Sequence, residues 1–529
     1  MVMACLTVTA QVKVWSLPEK DAPYRSDAYE VSVRAEGDTE WKQVEVLRCD
    51  VDLKRVQQAA FAEFDMQGKA YVRVKSKKCK VENIIVRPSS RNITPKRIDD
   101  ETIEIILDKP EYLSVEFDGD RTHNLHIFAN PVQTLSPVRS AGTLNSSVSR
   151  PPRNGEGLAT LDSCAQLPTS IIESLPSRGS EGNSGLTKCQ SAQSDRSISP
   201  MVRTANLEGS VITWQGENSQ DVFVKDASMI YFGPGVHQPK DLPSEEIKIP
   251  SNCTVYLAPG AVVKARLIVD RAENVRIIGR GILDHPLRGI EITYSKNVLV
   301  DGITVLNPAH YTVYGGQSED ITLRHIKTFS CRSWSDGFDL MCCRRVRIED
   351  CFLRTSDDCI ALYNHRWWYW GGTEDVEVTR CTMWPDVAHP VNIGSHGDDR
   401  SETGETLQNV RIHDCDIVYS RTDAALKFSC GDKNWVRDVR FTDIRLEGLE
   451  ETALFGIAVV FGSKYNRAPG NGIDDITFEN ICVTNDTTQL RPSFISDYDA
   501  THRVGDRISF KNVTVNGETW NPTKEIKRQ

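Results

Sequence analysis

The sequence predicts an all-β protein, a right-handed parallel β-helix preceded by a small β-sandwich. Three observations lead there. A nine-unit repeat of strands and turns fills the C-terminal three-fifths of the 529 residues. No helical period runs through that repeat. The N-terminal quarter is a succession of short strands that alternate apolar with polar residues.

Residues 1–132 carry the segments AYEVSVRA, YVRVKS, NIIVRPSS, TIEIILD, YLSVEFD and NLHIFA, separated by turn residues such as DGD at 118–120. Short alternating strands of this kind form sandwiches. His123 and His126 are expected at the surface or a sheet edge. Residues 133–207 are rich in Ser, Gly, Pro and Arg without periodicity. Such a composition buries too little apolar surface to offset chain entropy, so a disordered insertion or linker is expected.

Residues 208–529 hold the repeat. Its units start at Val275, Val298, Ile321, Val346, Val376, Val410, Val439, Ile476 and Ile508, spaced 23, 23, 25, 30, 34, 29, 37 and 32 residues apart. Each reads apolar-x-apolar, two polar or turn residues, then a second alternating stretch. Periods of this size mark solenoids, and strand-only units mark a β-helix with one coil per unit. A solenoid needs covered ends, and the sandwich is expected to supply one. Cys351, Cys381 and Cys415 occupy one position in successive units, and Cys482 falls in the equivalent region. A column of buried thiols explains them better than disulfides or a metal string, for which the spacing is wrong.

Composition excludes several functions. With 63 Lys+Arg against 73 Asp+Glu the net charge is -10, unsuited to nucleic acid or anionic membranes. No apolar run is long enough to span a bilayer. The start of the chain lacks a convincing secretory leader, whereas sequons at Asn92, Asn145, Asn252, Asn485 and Asn512 permit glycosylation. No metal or cofactor motif stands out. A monomer without nucleic-acid or membrane partners is expected.

One polar constellation recurs in four successive coils. Asp336 lies 15 residues after its coil start, Asp357 and Asp358 lie 11 and 12, His389 lies 13, and Lys427 lies 17. On a solenoid these offsets place all five on one flank, in adjacent coils. Breaking a glycosidic bond needs one carboxyl to protonate the leaving oxygen and one carboxylate to activate water. Crowded like charges keep one acid protonated. The coil after Asp358 is long and carries Arg366-Trp367-Trp368-Tyr369-Trp370, whose flat rings suit sugar stacking. His310 and Tyr311, one coil earlier than Asp336, are expected to line the cleft. His396 is out of register, and His389 takes the motif position.

SDGFDL, SDDCIAL, HPVNIGSHG and ALKFS, together with IIGRGILDHP at 277–286, resemble the signatures of glycoside hydrolase family 28, the polygalacturonase family. The resemblance covers about residues 230–520. A β-helix preceded by a sandwich is also similar to family 49, which contains dextranases and isopullulanases. The resemblance implies an inverting hydrolase of a polysaccharide or its oligosaccharides. Asp357 is then the general acid, Asp336 and Asp358 hold and deprotonate the water, and His389 supports the acid. Lys427 binds substrate. Substrate-degrading activity of this class implies an extracellular protein acting on cell-wall material. Trp334 replaces the motif Asn, Ala388 and Pro390 replace glycines, and Ala425 replaces an Arg that in the family engages a uronate carboxylate. Trp334, Arg366, Trp367, Trp368, Tyr369 and Trp370 are further candidate substrate contacts. A uronate lyase or epimerase, or a non-catalytic sugar-binding β-helix, are the alternatives.

Overall fold

The computed structural model describes residues 9–77, 80–133, 210–214, 227–238, 245–462, 464–484 and 490–529. The segment read from sequence as a linker, 133–207, lies almost wholly outside these residues. Among the described residues no helix is long and apolar enough to cross a membrane.

Two sheets form the N-terminal part. Tyr29–Ala35, Lys42–Val44, Ala70–Ser76, Lys96–Arg97 and Thr102–Leu107 make a five-stranded sheet. The other sheet has six strands, among them Gln57–Gln67, Glu111–Phe117 and Leu125–Pro131. Val31, Val33, Val72, Val74, Ile103 and Ile105 of one face meet Leu113, Val115, Leu125 and Ile127 of the other in a single core. Alternation with period two puts these residues inside and their polar neighbours outside.

The C-terminal part is the expected right-handed parallel β-helix. A typical coil has three strands, such as Glu273–Gly279, Ile282–Asp284 and Ile290–Thr293. The first two strand rows join into one 21-stranded sheet, and the third row forms an 11-stranded sheet. The polar pairs of the repeat have a backbone cause. Gly302, His325, Asp350, Arg380, Asp414, Asp443, Asn480 and Asn512, the second members of those pairs, all adopt positive φ. Asn and Asp enter that region at least cost among residues with a side chain.

The interior holds the thiols as expected for Cys351, Cys381 and Cys415, each at most 1% exposed. The backbone N–H of Thr382 donates to Cys351 and that of Asp416 to Cys381, which keeps them one above another. Cys482 departs from the expectation. It pairs with Arg445 and is exposed, because Ile481 takes the interior position opposite Ile444. The one-residue offset turns the side chain to the other face.

The sandwich packs along the flank of the solenoid, on the outer face of the second strand row. Phe61 and Phe128 meet Val262, Ile282, Leu306, Phe329 and Phe352 from successive coils. Buried ion pairs flank this contact: Lys327 Nζ lies 2.6 Å from Glu63, and Arg280 Nε lies 2.7 Å from Asp65. His126, expected at the surface, is fully buried here. Its ring packs against Phe329, Phe352 and Trp384, and Nε2 accepts from Arg354 at 3.1 Å. Docking of two separate sheets hides it. His123 is half-exposed and bonded to Asp120.

Candidate active site

Each coil passes from its second to its third strand through a turn, and the acidic residues sit in those turns. Backbone bonds hold successive turns in register. Thr312 N–H donates to the Asp336 carbonyl at 2.9 Å, Gly337 N–H to Asp358 at 2.8 Å, and Cys359 N–H to His389 at 2.8 Å. Gly337 is required by this stacking, since a Cβ there would lie 2.2 Å from the Cys359 carbonyl oxygen. Buried hydroxyls brace the turns from inside: Ser335 Oγ donates to Pro308, and Ser330 Oγ accepts from Ser356 N–H.

This register brings Asp336, Asp357 and Asp358 together. One oxygen from each lies within 4.8 Å of the others. Asp336 and Asp358 are buried and Asp357 is half-buried. Among the described residues this is the one acidic group close enough to share a cation. Crowded acids also have a simpler resolution, which is to keep protons.

The environments of the two neighbouring aspartates differ. Asp358 Oδ1 accepts from His389 N–H at 2.9 Å and from His389 Nδ1 at 2.7 Å, while Oδ2 accepts from Asn392 Nδ2 at 2.8 Å. Burial raises the Asp358 pKa, but the His389 charge and these hydrogen bonds outweigh it and hold the carboxyl below its usual range. Asp357 Oδ1 accepts from the Asp358 N–H at 3.0 Å, which does not offset its burial. Burial, with the Asp358 charge beside it, pushes its carboxyl up to about 6. Asp336 is raised well above the ordinary value by burial and by Asp339, Asp357 and Asp358. Asp339 is pushed up to about 7 by burial, against the pull of Arg366. His389 overcomes its own burial through Asp358 and Asp423 and rises to about 9, so it is an imidazolium at neutral pH.

His389 therefore touches Asp358, the expected base, and not Asp357, the expected acid. The reason is vertical stacking: His389 stands one coil above Asp358 in the same turn. Its Nε2 bonds Asp423 Oδ1 at 2.8 Å, and Asp423 also takes the Lys427 ammonium. Lys427 thus joins the site through Asp423. Burial opposes ionisation of Asp423, but His389 and Lys427 hold it ionised. A chain Asp358–His389–Asp423–Lys427 results.

The outward residues of the third strand row form the floor beside the turns. Glu291, Tyr314, Asp339, Ala361, Asn392, Lys427, Gly456 and Phe494 stand in sequence, one per coil. Asp339, Asn392 and Asp423 were not singled out from sequence. The available signal was position alone: Asp339 and Asn392 alternate outward on their strands, whereas Asp423 stands one residue before the strand Ala424–Cys430, out of step with the column of Asp336, Asp358 and His389.

The aromatic loop folds back over earlier coils. Arg366 lies 3.3 Å from Asp339, and its guanidinium sits 5.1 Å over Trp367 and 5.5 Å over Tyr311. Trp367 stacks on Tyr311 at 6.1 Å and approaches His310 at 6.4 Å, and Tyr311 itself is buried. Tyr369 differs from the expectation of a sugar contact. It is 1% exposed and presses on the Gly316 backbone, clamping the loop. Trp370 packs on His365 at 3.8 Å and under Arg400, away from the acids. Trp368 is 52% exposed and stacks on Trp367 at 5.8 Å. Trp334, 61% exposed, projects from the turn before Asp336. Ala425 is buried, so no side chain there reaches a ligand. His396 lies out of the turn column and packs on Tyr363.

Adjacent carboxyls with opposed proton affinities, on a groove that runs across many coils, are the equipment of a glycoside hydrolase built on a β-helix. Residues 250–527 match the model for glycosyl hydrolases family 28, which is more than half of the chain. The chain belongs to that family. It is 24% identical over 212 residues to a polygalacturonase of Chamaecyparis obtusa, covering 39% of each chain. It is also 24% identical over 226 residues to endopolygalacturonase A of Aspergillus flavus, covering 42% of this chain and 53% of that one. The matches span about two-fifths to a half of the length of these curated relatives. In architecture it resembles Dex49A from Penicillium minioluteum, with TM-score 0.59 at 15% identity over 97% of this chain and 95% of that one.

Proposed function

We propose that the protein hydrolyses glycosidic bonds of a polysaccharide or its oligosaccharides, with inversion at the anomeric carbon. The observation that carries this is the divergence of the neighbouring pair: Asp357 is held up at about 6 while Asp358 is held down by His389 and Asn392. Asp357 is then the general acid. Asp358 is the base that draws a proton from water. Asp336, kept protonated by its neighbours, donates a hydrogen bond that orients that water, a role narrower than deprotonation. Lys427 and Arg366 lie at the groove for substrate hydroxyls, each already paired with a carboxylate.

Carboxyl spacing favours a second reading. Inverting enzymes usually separate their carboxyls by roughly 6.5–9.5 Å and retaining ones by roughly 5–5.5 Å. Here the oxygens lie within 4.8 Å. Inversion therefore requires the water to sit above the three carboxylates and not between two. Family resemblance and the fully hydrogen-bonded Asp358 support that arrangement over a nucleophilic Asp358.

The test is a screen over polygalacturonan, rhamnogalacturonan, dextran and pullulan, following reducing ends and absorbance at 235 nm. Release of reducing ends without an absorbing product is expected. An unsaturated product indicates a lyase instead. Proton NMR of the first product decides stereochemistry, and a retained configuration refutes inversion.

A further inference from the structure

Beyond the acids, toward later coils, the groove holds two cations that a ligand does not meet first. Asn392, Lys427, Gly456 and Phe494 follow one another on the third strand row. Lys427 is held from two sides. Its ammonium lies 4.8 Å over the Phe494 ring and donates to Asp423 Oδ2. Gly456 permits this packing, since a Cβ there would lie 2.8 Å from Phe494 Cζ and 3.2 Å from Lys427 Cδ. Asp423 Oδ1 accepts from His389 Nε2 at 2.8 Å and from the Ala424 N–H at 2.8 Å. The side chains of Lys427 and His389 are 10% and 20% exposed, whereas that of Asp423 is 50% exposed. The carboxylate therefore faces solvent with both cations beneath it. Burial opposes its ionisation, and His389 and Lys427 together outweigh that effect.

We propose that Asp423 is a specificity-determining residue: it covers the charges of Lys427 and His389 and so restricts the sugar unit bound on the later-coil side of the acids to an uncharged ring. This rests on the reading of the chain as a polysaccharide hydrolase and adds which monomer that side accepts. Asp423 is linked to Asp358 through a single imidazole, so the unit it faces lies next to the bond being cut. A neutral pyranose presents hydroxyls, which donate to a solvent-facing carboxylate without charge repulsion. A uronate carboxylate arriving at the same place faces Asp423 first. It reaches Lys427 only by displacing a charge-assisted bond, and like charges set against each other across a contact are strongly unfavourable. The restriction holds on this side alone. Toward earlier coils Arg366 and Arg288 stand over Trp367 at 5.1 and 5.5 Å, with side chains 19% and 25% exposed. A polymer made only of uronates places one on each side of the acids, so rejection on one side is enough to exclude it.

The test compares kcat/KM on dextran, pullulan and galactan with kcat/KM on polygalacturonan, by reducing-end release, for the wild type, Asp423→Asn and Asp423→Glu. The wild type should favour a neutral polymer. Asparagine keeps an accepting oxygen and removes the charge, so the neutral-to-uronate ratio should fall roughly tenfold in Asp423→Asn, while Asp423→Glu keeps it near the wild-type value. The ratio separates selection from positioning. Weaker support of His389 slows turnover on every substrate alike and cancels, whereas a freed Lys427 favours the uronate alone. Thermal melts confirm that both variants are folded at the assay temperature. An unmoved ratio in Asp423→Asn, or an equal shift in Asp423→Glu, overturns the proposal. So does a wild type that cleaves polygalacturonan better than every neutral polymer, or that releases nothing from any neutral polymer. The hydrolase reading survives each of these results as long as polygalacturonan or rhamnogalacturonan is cleaved, and falls with the proposal only where no polymer is cleaved.

Discussion

Replacing His389 by alanine tests how Asp358 is kept ionised. The substitution leaves the backbone N–H bond to Asp358 Oδ1 at 2.9 Å and removes the imidazole bond at 2.7 Å together with its positive charge. A hydrogen bond to a charged group is worth roughly 1.5–3 kcal/mol. Loss of that support at the base lowers kcat/KM by about 10- to 150-fold. Burial then dominates, so the acidic limb of the pH–rate profile moves to higher pH. His389→Gln keeps a donor without charge and falls between the two. The same substitution has a stability signature. The folded-state pKa of His389 is raised to about 9. Its contribution is therefore complete below the unfolded value of about 6.5 and is lost as pH rises through about 9. That contribution is on the order of 3 kcal/mol for the whole network, by pKa difference. Chemical denaturation from pH 6 to 9.5 should show a decline in the wild type that is absent in His389→Ala. Wild-type kcat/KM in the variant, with an unmoved acidic limb, refutes the assignment of His389 as the support of Asp358.

Asp357→Asn should reduce kcat by about 10²–10⁴-fold, the usual worth of a general acid. It should also stabilise the fold above pH 6. A carboxyl raised to about 6 lends stability at low pH that disappears as pH rises through that value, leaving a buried charge whose removal gains roughly 2–3 kcal/mol at pH 7.5. A variant with a lower melting temperature than wild type at pH 7.5 contradicts this. For the wild-type enzyme, kcat/KM should fall on the alkaline side with an apparent pKa near 6, and a profile flat to pH 8 contradicts Asp357 as the acid. Trp367→Ala should raise KM several-fold with little change in kcat, because Trp367 offers a face and no proton; an unaltered KM removes it from the groove. At the sandwich contact, Lys327→Ala should cost about 3–5 kcal/mol by stranding buried Glu63, while Lys327→Met with Glu63→Leu should recover most of it in urea unfolding.

Much of the site was legible before any coordinates, because a β-helix converts sequence period into spatial position. Coil starts from Val275 to Ile508 set which residues stack, and strand alternation sets which point outward. That is why Asp336, Asp357, Asp358 and His389 could be placed on one flank, and why Cys351, Cys381 and Cys415 could be placed inside. Period alone tolerates an error of one residue, and Cys482 shows the consequence: Ile481 holds the interior place and the thiol faces out.

Other features had no local signal. Asp423 links His389 to Lys427 only because two coils with unequal turns align their side chains. The partner of His389 depends on which of two adjacent aspartates points upward. His126 is buried by Phe329, Phe352 and Trp384, more than two hundred residues away in sequence. The aromatic loop reads as a row of rings, yet its fold stacks Trp367 on Trp368 and buries Tyr369. The amino-acid pattern determined the winding, the in-or-out choice along each strand and the acidic column, since these follow from neighbours close in the chain. Tertiary structure alone decided who bonds whom across coils, where the sandwich docks and which way the loop folds, since those depend on packing between segments whose sequences carry no shared period.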